Sequence, residues 1–493
     1  MRPRAHAPRL PSGLVAFVKR DCPTCALVVP ALQKLRDHAP LTVYTQDDIS
    51  FPAGLDPADD TSLAMSWHHG VETVPTLIRV EDGEARERAV GWHRDEWEAL
   101  TGVRDLAPEL PLTRPGCGSL SVDPERASEL AVRFLGPTLK ARRIDKPALE
   151  DEHELMYQRG FTDGLPVVPP TPARVLAMLE GTTRDPDDVV AIVPPDLVEC
   201  SVEKVAINAV MAGCLPEYLP VVIAALEAAC TDTFNMHGVM ATTMPVGPVL
   251  IVNGPIRHRI GMNAGRNVFG QGNRANSTIG RAVQLTLRNV GGGRPGEIDC
   301  ATHGSPGKVG LCFAEDEEGS PFTPLSVARG LEAGVDAVTV FAGEGPRCII
   351  DQLSRTPESL ARSLAASIKA LYHPKLVLAF DCILAIGPEH SRIFREAGWD
   401  RARLDRELLA QCQIPGEQLI RGADGIAEGM PEGPAAAKLG LPASIAGMKL
   451  PKYKPGTLLT VHCGGAAGLF STLIGGWVGG GVGSQPVTRE ITA

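Results

Sequence analysis

Two cysteines near the start of the chain have the spacing of a reactive dithiol. Cys22 and Cys25 enclose Pro23 and Thr24, follow the apolar run GLVAFVK and precede the helical pattern CALVVPALQKLRDH. Unpaired amides and the helix dipole at a helix N-terminus stabilise a thiolate, which lowers the pKa of the first cysteine. The pattern therefore predicts that Cys22 attacks, that Cys25 resolves the mixed disulfide, and that the pair forms a redox-active disulfide.

The elements around the pair follow a regular order. After the first strand and helix come a strand in LTVYTQDD and then VETVPTLIRVEDGEARERAVGWHRDEWEALTGV, which predicts a strand, a turn at Asp82 and Gly83, a second strand and a closing helix. Residues 12 to 104 resemble the thioredoxin and glutaredoxin superfamily. The resemblance implies a cis-proline at Pro75, whose preceding backbone faces the dithiol and binds an extended substrate. The chain departs from thioredoxins at Asp21, where they carry tryptophan, and by enclosing Pro-Thr rather than Gly-Pro.

Two other interpretations of the cysteine pair stay open. The first is a domain of this fold kept only for docking. The second is a zinc site made by the pair with His68 and His69, although no second CxxC pair accompanies them.

Composition limits the classes of function. The chain has 493 residues, 44% of them hydrophobic, and a formal net charge of -10 without a long lysine or arginine block. This balance argues against nucleic acid and against an anionic membrane as partners, and it favours a small-molecule ligand. No apolar run is long enough for a membrane span or a signal peptide, so a cytoplasmic location with mostly reduced cysteines is expected.

The amino-acid composition changes after residue 105. The stretch RDLAPELPLTRPGCGSLSVDPE is rich in proline, glycine and serine and predicts a linker or strap. It contains Cys117, which is either a thiol that shuttles electrons onward or an ordinary packed thiol. The expected organisation is a redox domain at 1–105, the linker or strap at 106–150 and a large substrate-binding domain at 151–493.

The large domain alternates apolar strands with helices. The strand candidates GPVLIVNGP, AVTVFAGEGP, LVLAFDCILAIGP and TLLTVHCGGAAG end in glycine-rich turns, and helical patterns follow several of them. This alternation predicts a mainly parallel α/β architecture, in one unit or two lobes, with ligands at the carboxyl ends of its strands.

One stretch concentrates amide and guanidinium groups among glycines, just before a predicted helix. It supplies the predicted substrate-binding residues Asn253, Arg266, Asn267, Arg274 and Asn276. Such groups suit a carboxylate or phosphate, so a small anionic substrate is expected. The alternative is a loop whose asparagines satisfy their own turns. The stretch lacks a nucleotide-binding fingerprint.

Three further residues are candidates for acid, base or nucleophilic catalysis: His303, Cys312 and Glu315. A buried core thiol is the more common role for a cysteine such as Cys312, and a solvated acidic turn also explains Glu315. His462 and Cys463 open a glycine loop that is expected to contribute to the pocket. The histidines show no metal-binding spacing, so a metal requirement is left open and no cofactor is required.

The large domain is similar to a largely uncharacterised bacterial family that carries segments like VEKVAINAVMAGC, LIVNGP, GNRANSTIGRA and FAEDEE. Its members often occur beside thioredoxin-like proteins or UGSC-type (seleno)proteins with a Cys/Sec-Gly-Ser-Cys motif. Here Cys117-Gly118-Ser119-Leu120 lacks the final cysteine of that motif. The resemblance implies redox or thiol chemistry.

Together these observations predict a thiol-dependent oxidoreductase whose dithiol domain supplies electrons to a reaction on a small anionic substrate in the large domain. Its reductant is expected to be a cellular thiol or a thioredoxin-reductase-type protein, and a homo-oligomer is compatible with the sequence. Two alternatives remain: a carbon-sulfur or carbon-heteroatom lyase that uses the thiols, and a redox-sensing binding module without catalysis.

Overall fold

The computed structural model describes residues 8–135, 139–144, 151–378, 380–425, 427–477 and 483–492. The chain divides into two compact units, Met1–Thr138 and Leu139–Ala493. The predicted linker at 106–150 is thus split between the units, and its residues 136–138 and 145–150 lie outside the described ones. Within the described ranges, every helix is too short or too polar to cross a membrane.

The first unit contains nine strands and five helices among its described residues. The strands are β1 (Gly13–Val18), β2 (Leu41–Thr45), β3 (Ala58–Asp59), β4 (Thr73–Val74), β5 (Thr76–Glu81), β6 (Glu84–Val90), β7 (Trp92–His93), β8 (Thr113–Arg114) and β9 (Cys117–Gly118). The helices are α1 (Pro23–Leu27), α2 (Val29–His38), α3 (Ala64–His68), α4 (Arg94–Thr101) and α5 (Pro124–Leu135), with a 3-10 turn at Leu120–Val122.

A five-stranded mixed sheet with the order β3-β2-β1-β5-β6 forms the centre of this unit. The central strand β1 pairs in parallel with β2 and antiparallel with β5, and its apolar side chains are buried on both faces. Leu32 and Leu35 of α2 and Trp97 of α4 belong to the same core. Asp82 and Gly83 both have positive φ in the β5–β6 turn, so the predicted hairpin is present at the predicted place.

Residues 113–122, which the sequence predicts to be linker, are paired with the first unit. Strand β9 runs antiparallel to β4, and β8 runs antiparallel to β7. The buried Gln46 amide donates to Ser119 Oγ at 2.6 Å, and its carbonyl accepts from the Leu120 amide at 3.0 Å. The Ser121 hydroxyl donates to the Val71 carbonyl at 2.7 Å. This segment is therefore an integral part of the unit.

The second unit holds the remaining described elements. Its strands are β10 (Val189–Val193), β11 (Val198–Ser201), β12 (Gly247–Asn253), β13 (Leu311–Ala314), β14 (Ala337–Gly343), β15 (Arg347–Ile350), β16 (Cys382–Ile386), β17 (Gln413–Pro415), β18 (Lys449–Pro451), β19 (Leu458–His462), β20 (Phe470–Gly475) and β21 (Val487–Glu490). Its helices are α6 (Glu152–Gln158), α7 (Pro172–Leu179), α8 (Val202–Ala212), α9 (Leu219–Ala229), α10 (Met236–Ala241), α11 (Ile256–Arg259), α12 (Arg274–Asn289), α13 (Leu325–Ala328), α14 (Pro357–Lys369), α15 (Pro388–Glu396), α16 (Arg401–Gln411), α17 (Gly416–Leu419) and α18 (Pro434–Lys438). Its 3-10 turns lie at Pro216–Tyr218, Pro306–Val309 and Ala423–Gly425.

Two four-stranded sheets of the second unit have the same connectivity. Their orders are β13-β12-β14-β21 and β19-β16-β20-β15. In each, the second strand pairs in parallel with the first and antiparallel with the third, and the fourth strand pairs antiparallel with the third. Strand β15 directly follows β14 but completes the other sheet, and β21 follows β20 but completes the first. The segment that forms three strands of one sheet thus contributes the fourth strand of the other, and we call these two segments the halves of the second unit.

The prediction of a mainly parallel domain is wrong. Each four-stranded sheet has one parallel pair and two antiparallel pairs, and the two-stranded sheets of this unit are antiparallel. The apolar runs that favoured parallel strands have another cause, which is that these strands are covered on both faces.

The second unit is layered as helices, sheet, sheet, helices. Val249 and Ile251 of β12 pack with Ile383 and Val461 in the core between the sheets. The alternate residues of β12 face helices α8, α9 and α12 in a second core. Helices α14, α15 and α16 cover the outer face of the other sheet in a third core. Because side chains alternate along a strand, coverage of both faces favours apolar residues at successive positions.

Candidate functional site

Cys22 occupies the junction between β1 and helix α1. It is the N-cap residue of α1, and its sulfur accepts a hydrogen bond from the Cys25 amide, with 3.3 Å between Sγ and N. Its Sγ also lies 3.6 Å from the Val74 carbonyl oxygen. The Val74–Pro75 peptide bond is cis, as the resemblance implies. The predicted catalytic residue Cys22 and the predicted substrate-binding residue Pro75 are therefore brought to one place.

The surroundings of Cys22 favour its thiolate. Its pKa is lowered to about 5, first because the Cys25 thiol donates a hydrogen bond to its sulfur. Burial acts in the opposite direction, while the Cys117 thiol and the backbone amides of Cys25 and Thr24 lower the pKa further. At neutral pH the Cys22 sulfur is therefore ionised.

Cys25 differs from Cys22 in its environment. It is fully buried, and burial raises its pKa far above that of a free thiol, with the hydrogen bond to Cys22 acting in the same direction. A low-pKa sulfur beside a protonated, buried one is the arrangement of an attacking thiol and a resolving thiol.

A third thiol completes this cluster. The register of β4 and β9 places Cys117 opposite Val74. The hydrogen bond with Cys22 raises the pKa of Cys117, followed by the effects of burial and of the Cys22 charge. All twelve cysteines of the chain lie in the described ranges, and each is a free thiol.

In the second unit, a cavity of about 420 Å³ lies at the carboxyl ends of β13 and β19. Its lining combines Asp316, His462 and two arginines, Arg266 and Arg395. Glycines of the loop after β19 form part of the wall. The cavity thus lies at the glycine-rich strand ends where the sequence predicts a ligand site, and it includes the predicted Arg266 and His462.

His462 is the residue of this cavity best suited to proton transfer. It is 1% exposed, and its Nδ1 lies 3.1 Å from the Asp316 carbonyl oxygen and 3.2 Å from the Asp316 carboxylate. Its Nε2 is buried and has no hydrogen-bond partner. Burial lowers the pKa of His462 despite the opposing effect of Asp316. The ring is therefore neutral at pH 7, and with the Nδ1 proton directed at Asp316 the Nε2 is a free acceptor.

Glu315 occupies the place in the first sheet that His462 occupies in the other. In the second sheet, His462 at the end of β19 is opposite Ile386, and Gly387 and Pro388 follow Ile386. In the first sheet, Glu315 directly follows Ala314, which is opposite Val252. Glu315 bonds Asn253, which Gly254 and Pro255 follow in the same way. Glu315 is fully buried, burial raises its pKa, and its Oε1 has no partner. Its Oε2 accepts from the Asn253 amide at 2.7 Å and the Leu325 amide at 2.8 Å. Glu315 and Asn253 thus hold each other and the local backbone.

The other predicted substrate-binding residues mainly form hydrogen bonds between their side chains and nearby backbone groups. The Asn276 side chain accepts from the Asn263 backbone amide and donates to the Asn263 carbonyl. The Asn267 side chain donates to the Gln271 carbonyl. Arg274 donates from Nε to the Gly213 carbonyl. Asn267 lines a neighbouring cavity of about 250 Å³. Arg266 alone among the predicted binding residues lines the His462 cavity.

His303 and Cys312 are not brought together with Glu315. His303 is exposed on the loop before β13. The Cys312 side chain lies in the helix-facing core with α12, and burial raises its pKa above that of a free thiol. The sequence analysis missed Asp316 and Arg395, since nothing in their local pattern distinguishes them from surface charges.

A further cavity of about 720 Å³ in the second unit is lined mainly by apolar side chains and contains none of the predicted site residues. The described part of the chain contains no group of three or more His, Cys, Asp or Glu side chains placed to hold a metal ion.

The fold and site together define a mixed α/β chain whose first unit carries a cluster of three thiols, two buried and one partly buried. No protein-family model, curated protein or solved structure matches the chain.

Proposed function

We propose that the chain is a thiol-dependent redox enzyme. Its first unit acts as a thioredoxin-like dithiol that carries two electrons, and its second unit binds a small anionic substrate to which those electrons are delivered. The observation that carries the proposal is the placement of the Cys22 sulfur, at an N-cap, beside Cys25 and the Val74 carbonyl.

In this function the Cys22 thiolate attacks a disulfide, forming a mixed disulfide and releasing one thiolate. Cys25 then loses its proton and attacks the Cys22 sulfur, which releases the second thiolate and leaves a Cys22–Cys25 disulfide. Two electrons pass to the disulfide that was attacked. Two equivalents of an external thiol return two electrons to the Cys22–Cys25 disulfide, are themselves joined in a disulfide, and close the cycle.

The proposal is tested by equilibrating the protein in mixtures of reduced and oxidised glutathione. Alkylation and mass spectrometry of the peptides then measure the fraction with a Cys22–Cys25 disulfide. We expect a single two-electron transition in the wild type and in Cys300→Ser, an exposed control thiol, and none in Cys22→Ser. Free Cys22 and Cys25 throughout the glutathione range would contradict the function.

The second unit's part is supported by the two arginines and the unpartnered His462 Nε2 of its cavity. We expect inorganic phosphate or a small carboxylate such as oxalate to bind there, measured by calorimetry. Arg266→Gln removes one charged donor and is expected to weaken binding about tenfold or more. Arg274→Gln is the matched control from the same loop, since Arg274 bonds Gly213 and does not line the cavity. Equal affinities of the two variants would contradict the assignment.

The alternative of a lyase has one observation in its favour. A neutral histidine held by a carboxylate, with its second nitrogen free, suits abstraction of a proton from a bound acid. In that case turnover would persist in Cys22→Ser and be lost in His462→Gln, whereas the redox function requires Cys22 for every cycle after the first.

A further inference from the structure

The reactive sulfur of the dithiol is covered. Cys22 is 1% exposed and Cys25 is fully buried. Cys117, which lies opposite Val74 in the β4–β9 pair, is only partly buried. Of these three thiols, Cys117 therefore has the most access to a molecule in solution.

The position of Cys117 is built by the fold. Strand β9 pairs antiparallel with β4, so that Cys117 is opposite Val74, and the Val74 carbonyl lies 3.6 Å from Cys22 Sγ. The Thr24 hydroxyl donates to the Pro115 carbonyl at 2.8 Å, and Lys19 Nζ donates to the Gly118 carbonyl at 2.9 Å. Cys117 is thus held from both sides along the segment that carries it.

The backbone beyond Cys117 is anchored as well. The Ser119 amide donates to the Glu72 carbonyl at 2.9 Å, and both Ser119 and Ser121 are buried. These bonds tie residues 115–121 to the segment before Pro75, to α1 and to Lys19, which follows β1. A thiol so placed stays within reach of Cys22, which gives it a high effective concentration.

We propose that Cys117 is the third redox thiol of this centre, and that electrons pass between the Cys22–Cys25 dithiol and a disulfide in solution through a Cys22–Cys117 disulfide. The inference rests on the proposed dithiol function and adds a residue to it.

The relay balances as follows. Cys117 gives its proton to the Cys22 thiolate and attacks an external disulfide, forming a mixed disulfide and releasing one thiolate. Cys22 then loses that proton and attacks the Cys117 sulfur, which forms the Cys22–Cys117 disulfide and releases the second thiolate. Finally Cys25 loses its proton and attacks Cys22, forming the Cys22–Cys25 disulfide, and Cys117 leaves and takes up a proton. The external disulfide gains two electrons, and the three cysteines together lose two.

The intermediate can be trapped by removing the last step. Cys25→Ser is treated with oxidised glutathione, digested with trypsin and examined by mass spectrometry without reduction. We expect the peptides containing Cys22 and Cys117 to be joined by a disulfide, with two glutathione thiols released per chain. Cys25→Ser combined with Cys300→Ser should behave identically. A lasting glutathione adduct on Cys22 with Cys117 free would overturn the proposal.

The rate of the whole relay gives a second, independent test. Reduced protein is mixed with oxidised glutathione, quenched with an alkylating agent at intervals, and assayed for the Cys22–Cys25 disulfide. In Cys117→Ser and Cys117→Ala we expect the rate of formation of this disulfide to fall at least about tenfold, because Cys22 itself is covered. Formation at the wild-type rate would refute the relay while leaving the dithiol function intact. Absence of the disulfide even in the wild type would instead refute the dithiol function.

Discussion

At Cys22 several hydrogen-bond donors converge on one sulfur. The largest effect on its pKa comes from the Cys25 side chain, ahead of the amides at the start of α1. The Cys25 side chain therefore lowers the pKa of Cys22 more than either the Cys25 or the Thr24 backbone amide does. This ordering separates the dithiol from a single activated cysteine at a helix end.

The ionisation of Cys22 can be measured directly. The ultraviolet absorbance of the thiolate, taken as the difference between wild type and Cys22→Ser, should rise with a midpoint near pH 5. Cys25→Ser keeps a donor to the Cys22 sulfur and should retain a low midpoint. Cys25→Ala removes the donor and should raise the midpoint. A wild-type midpoint near the value for a free thiol, about pH 8.5, would contradict the geometry.

The dithiol could be predicted from the sequence because its geometry is local. A strand, two cysteines and a helix follow one another within a short stretch, and the turn residues fix their spacing. Cys117 and His462 lie near their partners only because strands distant in sequence pair or pack. Glycine-rich strand ends indicated the region of the His462 cavity. No local sequence pattern indicated that His462 contacts Asp316.

At the scale of elements, the short strand β9 pairs with β4, whose Val74 carbonyl lies 3.6 Å from Cys22 Sγ, so we expect β9 to limit access to the dithiol. Gly116 precedes it at a point of close approach, where a Cβ would lie 2.5 Å from Thr73 Cγ2 and 2.6 Å from the Val74 carbonyl oxygen. A Cβ on Gly118, two residues later, would meet nothing within 4 Å. The two glycines therefore offer a matched pair of substitutions in one segment.

Gly116→Ala is expected to loosen β9 from β4 and expose Cys22. The rate of Cys22 alkylation by iodoacetamide should increase about tenfold or more, which corresponds to a local opening made easier by about 1.4 kcal/mol. Gly118→Ala should alkylate at close to the wild-type rate. Equal rates in the two variants would show that β9 does not cover the sulfur.

Element types were easier to predict than their pairing. The helix predicted after Cys22 and Cys25 is present, and the turn predicted at Asp82 and Gly83 joins β5 and β6. The direction of the strands was wrong because a strand buried on both faces reads as an unbroken apolar run whether its neighbours are parallel or antiparallel. Strand β9 is too short to show any periodicity.

At the scale of the whole molecule, the exchanged edge strands join the two halves of the second unit. Arg329 donates to the Thr488 hydroxyl at 2.6 Å and to the Pro486 carbonyl at 2.7 Å, and Ile491 belongs to the helix-facing core. The first sheet thus depends on residues near the end of the chain. A local change there is expected to affect a sheet that begins far earlier in the sequence.

Removal of residues 486–493 should destabilise the second unit by at least about 2 kcal/mol, because it deletes several ladder hydrogen bonds and a buried isoleucine. Hydrogen exchange should show lost protection in β12 and β14, with protection in β1 and β5 unchanged. Arg489→Ala removes an exposed side chain, keeps the backbone pairing and should change stability by less than about 0.5 kcal/mol. Undiminished protection of β14 in the truncated chain would contradict this role for β21.

The same exchange of strands constrains how the protein is made. During translation β14 leaves the ribosome long before β21, so the edge of β14 that pairs with β21 has no partner until the residues between them have been synthesised. An unpaired edge is a template for association with other chains. A polypeptide released before β21 has been synthesised would therefore keep an unpaired β14 edge, and β21 is the strand that covers this edge.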